Sequence, residues 1–183
     1  MLTYKHPKAK TCEVCERVFV PDRMGQLVCR PACAMARVRQ AKKAERASIK
    51  ARKEAIKSRA DWAKDAQQAF NAFIRARDEG LPCISCGRHH QGQWHAGHYL
   101  STGARPELRY TESNVHRQCA PCNTHLSGNA VLYRIGLVNR IGLDAVEWLE
   151  GPHPLPKWTA DDYKAIRDTY RAKLKDIQKG ETC

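Results

Sequence analysis

Eight of the nine cysteines fall into two complete sets. Cys12 and Cys15 are followed, thirteen residues on, by Cys29 and Cys33, and Cys83 and Cys86 are followed, thirty-two residues on, by Cys119 and Cys122. A C-x2-C turn presents two thiolates to one ion, and a second pair completes a tetrahedron. Each set therefore has the ligand count of a closed structural Zn²⁺ site. Such a site contributes folding free energy directly. Within a set a histidine could stand in for a thiol: His6 in the first, or His89, His90 or His125 in the second. Each set is complete without them. Iron–sulfur ligation is the chemical alternative, and disulfides are disfavoured where thiols are kept reduced. Cys183 is left over at the C-terminus.

A different chemistry sits between the halves of the second set. The stretch from Cys86 to Asn129 holds six of the eight histidines: His89, His90, His95, His98, His116 and His125. It also carries Asn114 just ahead of the second cysteine pair and Asn123 just after it. A His and Asn cluster threaded through a zinc scaffold suggests a second, catalytic metal.

The elements that must position these residues are legible in outline. The 183 residues amount to one domain of ordinary size or two small ones. Hydrophobic residues are 42% and aromatics 7%, a modest core that invites metal staples. The fold class expected is mainly α with small zinc-bound β modules. Residues 1–33 read as a four-cysteine zinc finger and 34–60 as a basic helix. Residues 61–150 read as a zinc-stabilised catalytic domain, and 151–183 as a Pro-rich linker (GPHPLP) and a last helix. Trp62, Ala66, Phe70, Phe73 and Ile74 follow helical spacing, which Gly80 and Pro82 stop. Residues 130–149 read as helical with a break near Gly142. Thr159 and Asp162 form a capping box with Asp in place of Glu.

The charge is uneven. The net charge is +13, and residues 34–60 alone carry ten basic and two acidic side chains. That stretch has no Gly or Pro and is built of strong helix formers, so it predicts a helix of roughly 38 Å. Its apolar residues, Met35, Val38, Ile49 and Ile56, are too few for a continuous seam, so it should be solvated. Such a rod suits a polyanion, with Lys42, Lys43, Arg46 and Lys50 as phosphate contacts; a solvated spacer is the alternative. Arg88, Arg105, Arg109, Arg117 and His116 are further candidate DNA contacts. Two zinc sites, each four thiolates on one dication, would lower the net charge from +13 to about +9 and leave the rod unchanged. No apolar run reaches the length of a membrane span, and MLTYKHPKAKTCEVC lacks the apolar core of a signal peptide, so a cytosolic protein is expected.

The layout also resembles a known family. A C-x2-C, a strand ending in His, a loop with Asn, then C-x2-C followed by Asn is the order of zinc-stabilised HNH (ββα-metal) nucleases, and phage endonuclease VII has the same Cys-x-x-Cys-Asn step. The resemblance implies His98 (in HAGHY) as general base, Asn114 (in SNVHRQC) as the residue that orients it, and Asn123 as a ligand of the catalytic metal. The whole chain resembles the NinG recombination proteins of lambda-like phages. The residues that carry this are CEVCERVFVPDR with VCRPAC, GLPCISCGRHHQGQWHAGHY, and NVHRQCAPCN with SGN after it.

This likeness implies a structure-specific endonuclease cutting branched DNA such as Holliday junctions and D-loops in the cytoplasm of the bacterial host. It also implies Mg²⁺ or Mn²⁺ beside two structural zincs, a homodimer on the junction, and a phage or host recombinase as a candidate partner. One position departs from the pattern. Many HNH enzymes carry a metal-binding Asp just before the base, where this chain has Gly97. Strand side chains alternate, so His95 faces the same way and could take over as ligand. Glu107 and Glu112 are the only carboxylates from 83 to 129. The competing expectation is a non-catalytic zinc-dependent DNA-binding protein with a lost active site; an RNA-binding zinc protein is a third.

Overall fold

A computed structural model describes residues 8–180; the possible ligand His6 and the leftover Cys183 lie outside them. The chain is mainly helical, with two small sheets, and divides into two units between Lys57 and Ser58. Among the described residues no helix is long and apolar enough to cross a membrane.

The first unit joins a zinc-type knuckle to a long helix. Strands β1 (Lys10–Thr11) and β2 (Val18–Phe19) pair antiparallel, and the knuckle of Cys12 and Cys15 lies between them. Helix α1 (Pro31–Ala55) starts with Pro at its first turn, where the missing N–H costs nothing. It begins three residues earlier than the expected 34–60 and ends five earlier. Cys33 lies on its first turn and is its one buried residue, so finger and rod are one piece rather than two modules. The rest of α1 is almost entirely exposed, including Met35, Val38 and Ile49, as is Ile56 just after it.

The second unit is built on α2 (Arg59–Arg77). Ser58 caps it: its hydroxyl accepts the Asp61 N–H while Asp61 accepts the Ser58 N–H. The signal S-x-x-D was present in the sequence, just ahead of the expected start. The buried face is the expected one, Trp62, Ala66, Phe70, Phe73 and Ile74, with Ala69 added. It packs against α5 (Ala160–Gly180), whose Tyr163, Ile166, Tyr170, Leu174 and Ile177 recur at helical spacing. Phe70 meets Tyr110 and Tyr170 edge-on, with centroids 5.6 and 4.7 Å apart. Buried Arg167 lies 4.6 Å above the Trp62 ring, a cation–π contact. The expected last helix is therefore half of the main core, because its apolar stripe needs the one on α2. Its Thr159–Asp162 capping box forms as expected.

Between these helices run β3 (Trp94–His98) and β4 (Val115–Cys119), paired antiparallel from Trp94↔Cys119 to His98↔Val115. A short helical turn, Pro121–His125, follows β4. Helices α3 (Ala130–Ile141) and α4 (Leu143–Glu150) break at Gly142 (φ +86°), as the sequence implied. Their Tyr133, Leu137, Val146 and Leu149 close over Ile84 and Leu108 in a second core. The approach is close: a Cβ on Gly136 would lie 1.9 Å from the Ile84 carbonyl oxygen, inside the second cysteine knuckle. Gly136→Ala is therefore expected to lose about 1–3 kcal/mol through overpacking. Urea titration followed by tryptophan fluorescence measures it, and an unchanged midpoint would contradict this contact.

Candidate metal centres and active site

Both knuckles make the same bonds. The Cys12 N–H donates to the Arg17 carbonyl at 2.9 Å and the Cys83 N–H to that of Arg88 at 3.0 Å. Glu16 N–H returns to the Cys12 carbonyl at 3.0 Å, and Gly87 N–H to that of Cys83 at 2.9 Å. That turn needs positive φ just after the second cysteine. Gly87 supplies it freely at +66°, whereas Glu16 holds +59° with a side chain attached.

The two quartets converge as the spacing implied. Cys12, Cys15, Cys29 and Cys33 bring their sulfurs within 4.8 Å of one another, as do Cys83, Cys86, Cys119 and Cys122. Tetrahedral thiolates at a Zn–S distance of about 2.3 Å stand roughly 3.8 Å apart. The observed separations are 3.5 Å for Cys15–Cys29, 3.8 Å for Cys29–Cys33 and 4.0 Å for Cys86–Cys119. These are too long for disulfides and fit a shared ion. Burial pushes Cys29 and Cys119 up to about 12, helped by hydrogen bonds with neighbouring thiols. Burial also raises Cys12, but backbone N–H groups of Cys15, Val14 and Cys29 outweigh it and bring this thiol down to about 6. Each quartet could bind zinc, which would take the four sulfurs as thiolates. Around the second, the Asn129 side-chain amide donates to Cys122 at 3.6 Å, and His90 Nε2 lies 3.2 Å from Cys86 as a neighbour of the four thiols.

The hairpin between the halves of that quartet carries the histidines. His98, the last residue of β3, has its Nε2 3.0 Å from the Arg109 carbonyl. A carbonyl can only accept, so the proton is on Nε2 and the lone pair on Nδ1. Nδ1 has no hydrogen-bond partner among the described residues, and it is not among the atoms sealed from solvent. Burial lowers the His98 pKa, and the Arg109 cation adds to this against the Arg109 carbonyl bond, which favours the charged ring. The ring is thus kept neutral.

Asn114 is fully buried and holds the loop rather than the ring. Its side chain accepts the Leu100 N–H at 2.9 Å and donates to the carbonyls of Leu100 and Leu108, at 3.0 and 3.3 Å. Leu108 precedes the residue whose carbonyl holds His98, so Asn114 acts on the histidine through the backbone.

On the other face of β3, His95 Nδ1 and the Asn123 side-chain nitrogen are 2.8 Å apart. His95 Nε2 is buried without a partner. The Asn123 amide N–H donates to His95 Nδ1, which fixes the proton of this ring on Nε2; an amide would coordinate a cation through its oxygen, so this contact is a hydrogen bond and not a coordination edge. No carboxylate joins them: Glu107 pairs with Arg105 and Glu112 with Lys173. Among the described residues the cysteine quartets are the only groups of three or more His, Cys, Asp or Glu that could hold a metal.

Gly97 also has a structural reason. A Cβ there would lie 2.1 Å from Gln118 Oε1. Gln118 is fully buried, and its amide donates to the Ser85 hydroxyl and the Gly128 carbonyl, both at 2.7 Å. An aspartate at 97 would displace this brace between the knuckle and the segment leading into α3.

The remaining candidates separate. Lys42, Arg46 and Lys50 recur every four residues on α1 with Lys43 beside Lys42, all exposed, and Arg88 is exposed after its knuckle. Arg109 is half-buried, its Nε donating to Gln67 at 2.8 Å. Arg117 stacks 4.1 Å above Trp94. Two further candidates are engaged or buried. Arg105 uses three N–H groups on Glu107 and on the carbonyls of Glu150 and Gly151, so it ties a loop to the end of α4. His116 is 4% exposed beneath Tyr133 and near Asp78, where burial drops it to about 4; a surface phosphate cannot reach it. Asp78 and Tyr133 were missed. Asp78 joins Arg77 to the backbone of Arg117, and the Tyr133 hydroxyl bonds Gly97 and His116 across the hairpin. Neither carries a local sequence signal.

The fold and these centres define a mainly helical protein with two four-cysteine clusters of the zinc type, the second folded around a histidine-bearing hairpin. A family model described as Bacteriophage Lambda NinG protein matches residues 4–181. Protein ninG of Salmonella phage P22 is 44% identical over 185 residues, covering 91% of each chain. Protein ninG of Escherichia phage lambda is 43% identical over 193 residues, covering 94% of this chain and 95% of its own. The chain belongs to the NinG family of lambda-like phages, as its cysteine phrases implied. No solved structure matches it.

Proposed function

We propose that this chain is a structure-specific endonuclease that cuts branched DNA, Holliday junctions and D-loops among them, on an HNH-like hairpin. The observation that carries this reading is His98: a neutral imidazole with one nitrogen fixed on a backbone carbonyl and the other without a hydrogen-bond partner among the described residues. That is the arrangement of a general base. The β3–β4 hairpin followed by the helical turn bearing Asn123 supports the HNH-like layout.

Nδ1 of His98 takes a proton from water as the water oxygen bonds to phosphorus. The Arg109 carbonyl, accepting the Nε2 proton, steadies the ring as it becomes cationic. The P–O3′ bond breaks, the 3′ oxygen leaves and is protonated from solvent, and the other strand end keeps a 5′-phosphate. A divalent ion such as Mg²⁺ or Mn²⁺, held by His95 and the amide oxygen of Asn123 in place of their hydrogen bond, would supply positive charge to the phosphorane and the leaving oxygen. Asn114 keeps the Arg109 carbonyl in place through Leu108. The exposed stripe of Lys42, Lys43, Arg46 and Lys50 supplies non-specific phosphate affinity. Two copies acting on one junction, and a recombinase partner, belong to the same reading.

The zinc-loaded chain, given a labelled four-way junction and Mg²⁺ or Mn²⁺, should nick it near the branch and leave linear duplex intact. Binding without cutting under every divalent ion tried would sink the reading and favour the non-catalytic DNA-binding alternative.

A further inference from the structure

The sequence placed its strongest phosphate contacts on α1. The second unit has a basic surface of its own. Two depressions lie along the exposed side of α2, one of about 550 Å³ and one of about 470 Å³, and Asn71 lines both. The first is walled by Arg59, Lys64, Gln67 and Arg109, and the second by Arg75 and by His95, Ala96 and Asn123 of the hairpin. From position 60 to position 75 the helix rises roughly 22 Å, about the axial rise of six nucleotides of one duplex strand.

The chemistry of this trough is one-sided. Its lining holds four cationic side chains and several carboxamides and no carboxylate. Lys64 and Arg75 have no ion-pair partner among the described residues. Arg59 gives one N–H to the Trp158 carbonyl and Arg109 one to Gln67, which leaves N–H donors on both guanidinium groups. Unpaired cations interleaved with amide donors match the oxygens of a sugar–phosphate backbone.

The trough also leads to the proposed chemistry. One end opens on His95 and Asn123. Arg109, on the wall of the first depression, supplies the carbonyl that fixes His98, and Ala96, lining the same end as His95 and Asn123, shares the His98 face of β3.

We infer that the trough along α2 is the track for the cleaved DNA strand, with its phosphates on Lys64, Arg75 and Arg109 and the scissile phosphate at the β3 end. This rests on the endonuclease reading but is tested by binding alone. The double variant Lys64→Glu/Arg75→Glu is compared with Arg171→Glu/Lys175→Glu, an equal change of charge on exposed positions of α5 outside the trough. Affinity for a four-way junction is measured across a KCl series without added divalent ion, with zinc content and circular dichroism as folding controls.

The trough variant should bind at least about tenfold more weakly at about 100 mM salt, with a salt slope reduced by about two. The α5 control should stay within about threefold of the wild type. Equal losses in both variants, or in neither, overturn the track even if the wild type cuts junctions normally. A selective loss in the trough variant upholds the track even if no divalent ion elicits cutting, which would defeat the endonuclease reading alone. A wild type that binds no branched DNA overturns both.

Discussion

A His98→Ala chain is expected to bind a four-way junction as tightly as the wild type and to cut it about 10²–10⁴-fold more slowly. The substitution removes one hydrogen bond, to the Arg109 carbonyl, and a ring 6.5 Å from that of Phe70. It leaves both cysteine quartets, His95 and Asn123 in place, so zinc content and binding serve as folding controls. Free imidazole in the medium should restore part of the rate by entering the space the ring vacates. Loss of binding together with cutting would make His98 a structural residue instead.

The pH dependence has a definite sign. Burial lowers the His98 pKa, so the neutral base persists below the ordinary histidine value of about 6.5, and the acid limb of the rate profile should lie below that value. His116, buried and brought to about 4, shifts the same way. Depressed folded-state values mean that the unfolded chain binds protons first. The stability His116 contributes is therefore complete above about 6.5 and is lost as pH falls toward 4, and that of His98 is likewise lost as pH falls below about 6.5. Melting curves between these limits should show the decline, and it should shrink in a His116→Gln variant.

Loss of one cysteine quartet should unfold one unit. Cys119→Ser removes a quartet thiol that is 1% exposed, ends β4, and donates its backbone N–H to the Cys83 sulfur. Its Trp94↔Cys119 pairing also fixes the hairpin register. Apparent binding energies of structural zinc are on the order of 10–16 kcal/mol in small fingers, as large as a typical domain's whole stability or larger. The variant should therefore carry one zinc per chain and lose the cooperative unfolding of the second unit. All four tryptophans, Trp62, Trp94, Trp148 and Trp158, lie in that unit, so their fluorescence reports on it alone. Cys12→Ser should also carry one zinc yet keep this fluorescence transition. A Cys12→Ser chain without it would show that the units do not fold independently.

The cysteine quartets, α1 and the Gly142 break were all legible in the sequence because their signals are local. Two short spacings define a knuckle, an Ala- and Lys-rich run without Gly or Pro defines a helix, and a single positive-φ glycine ends one. The Ser58–Asp61 box was equally local and was simply passed over. Residues 151–183 read as a linker and a last helix outside the 61–150 domain because nothing nearby in the chain shows what the α5 stripe covers. Arg105 and His116 looked like phosphate contacts because residue type alone does not reveal that a side chain is already engaged or buried. The trough along α2 was likewise hidden, since its cations are scattered from Arg59 to Arg109 in sequence.

Two four-thiol centres and a solvated basic helix were thus dictated by spacing and composition within a few turns of chain. Which nitrogen of His98 is free, why position 97 must be glycine, and which cations remain unpaired became decidable in three dimensions alone. Those follow from contacts between residues far apart in the chain, such as Arg59 with Trp158 and Gln67 with Arg109. Burial there, and not residue type, sets which groups keep a partner and which remain open to a substrate.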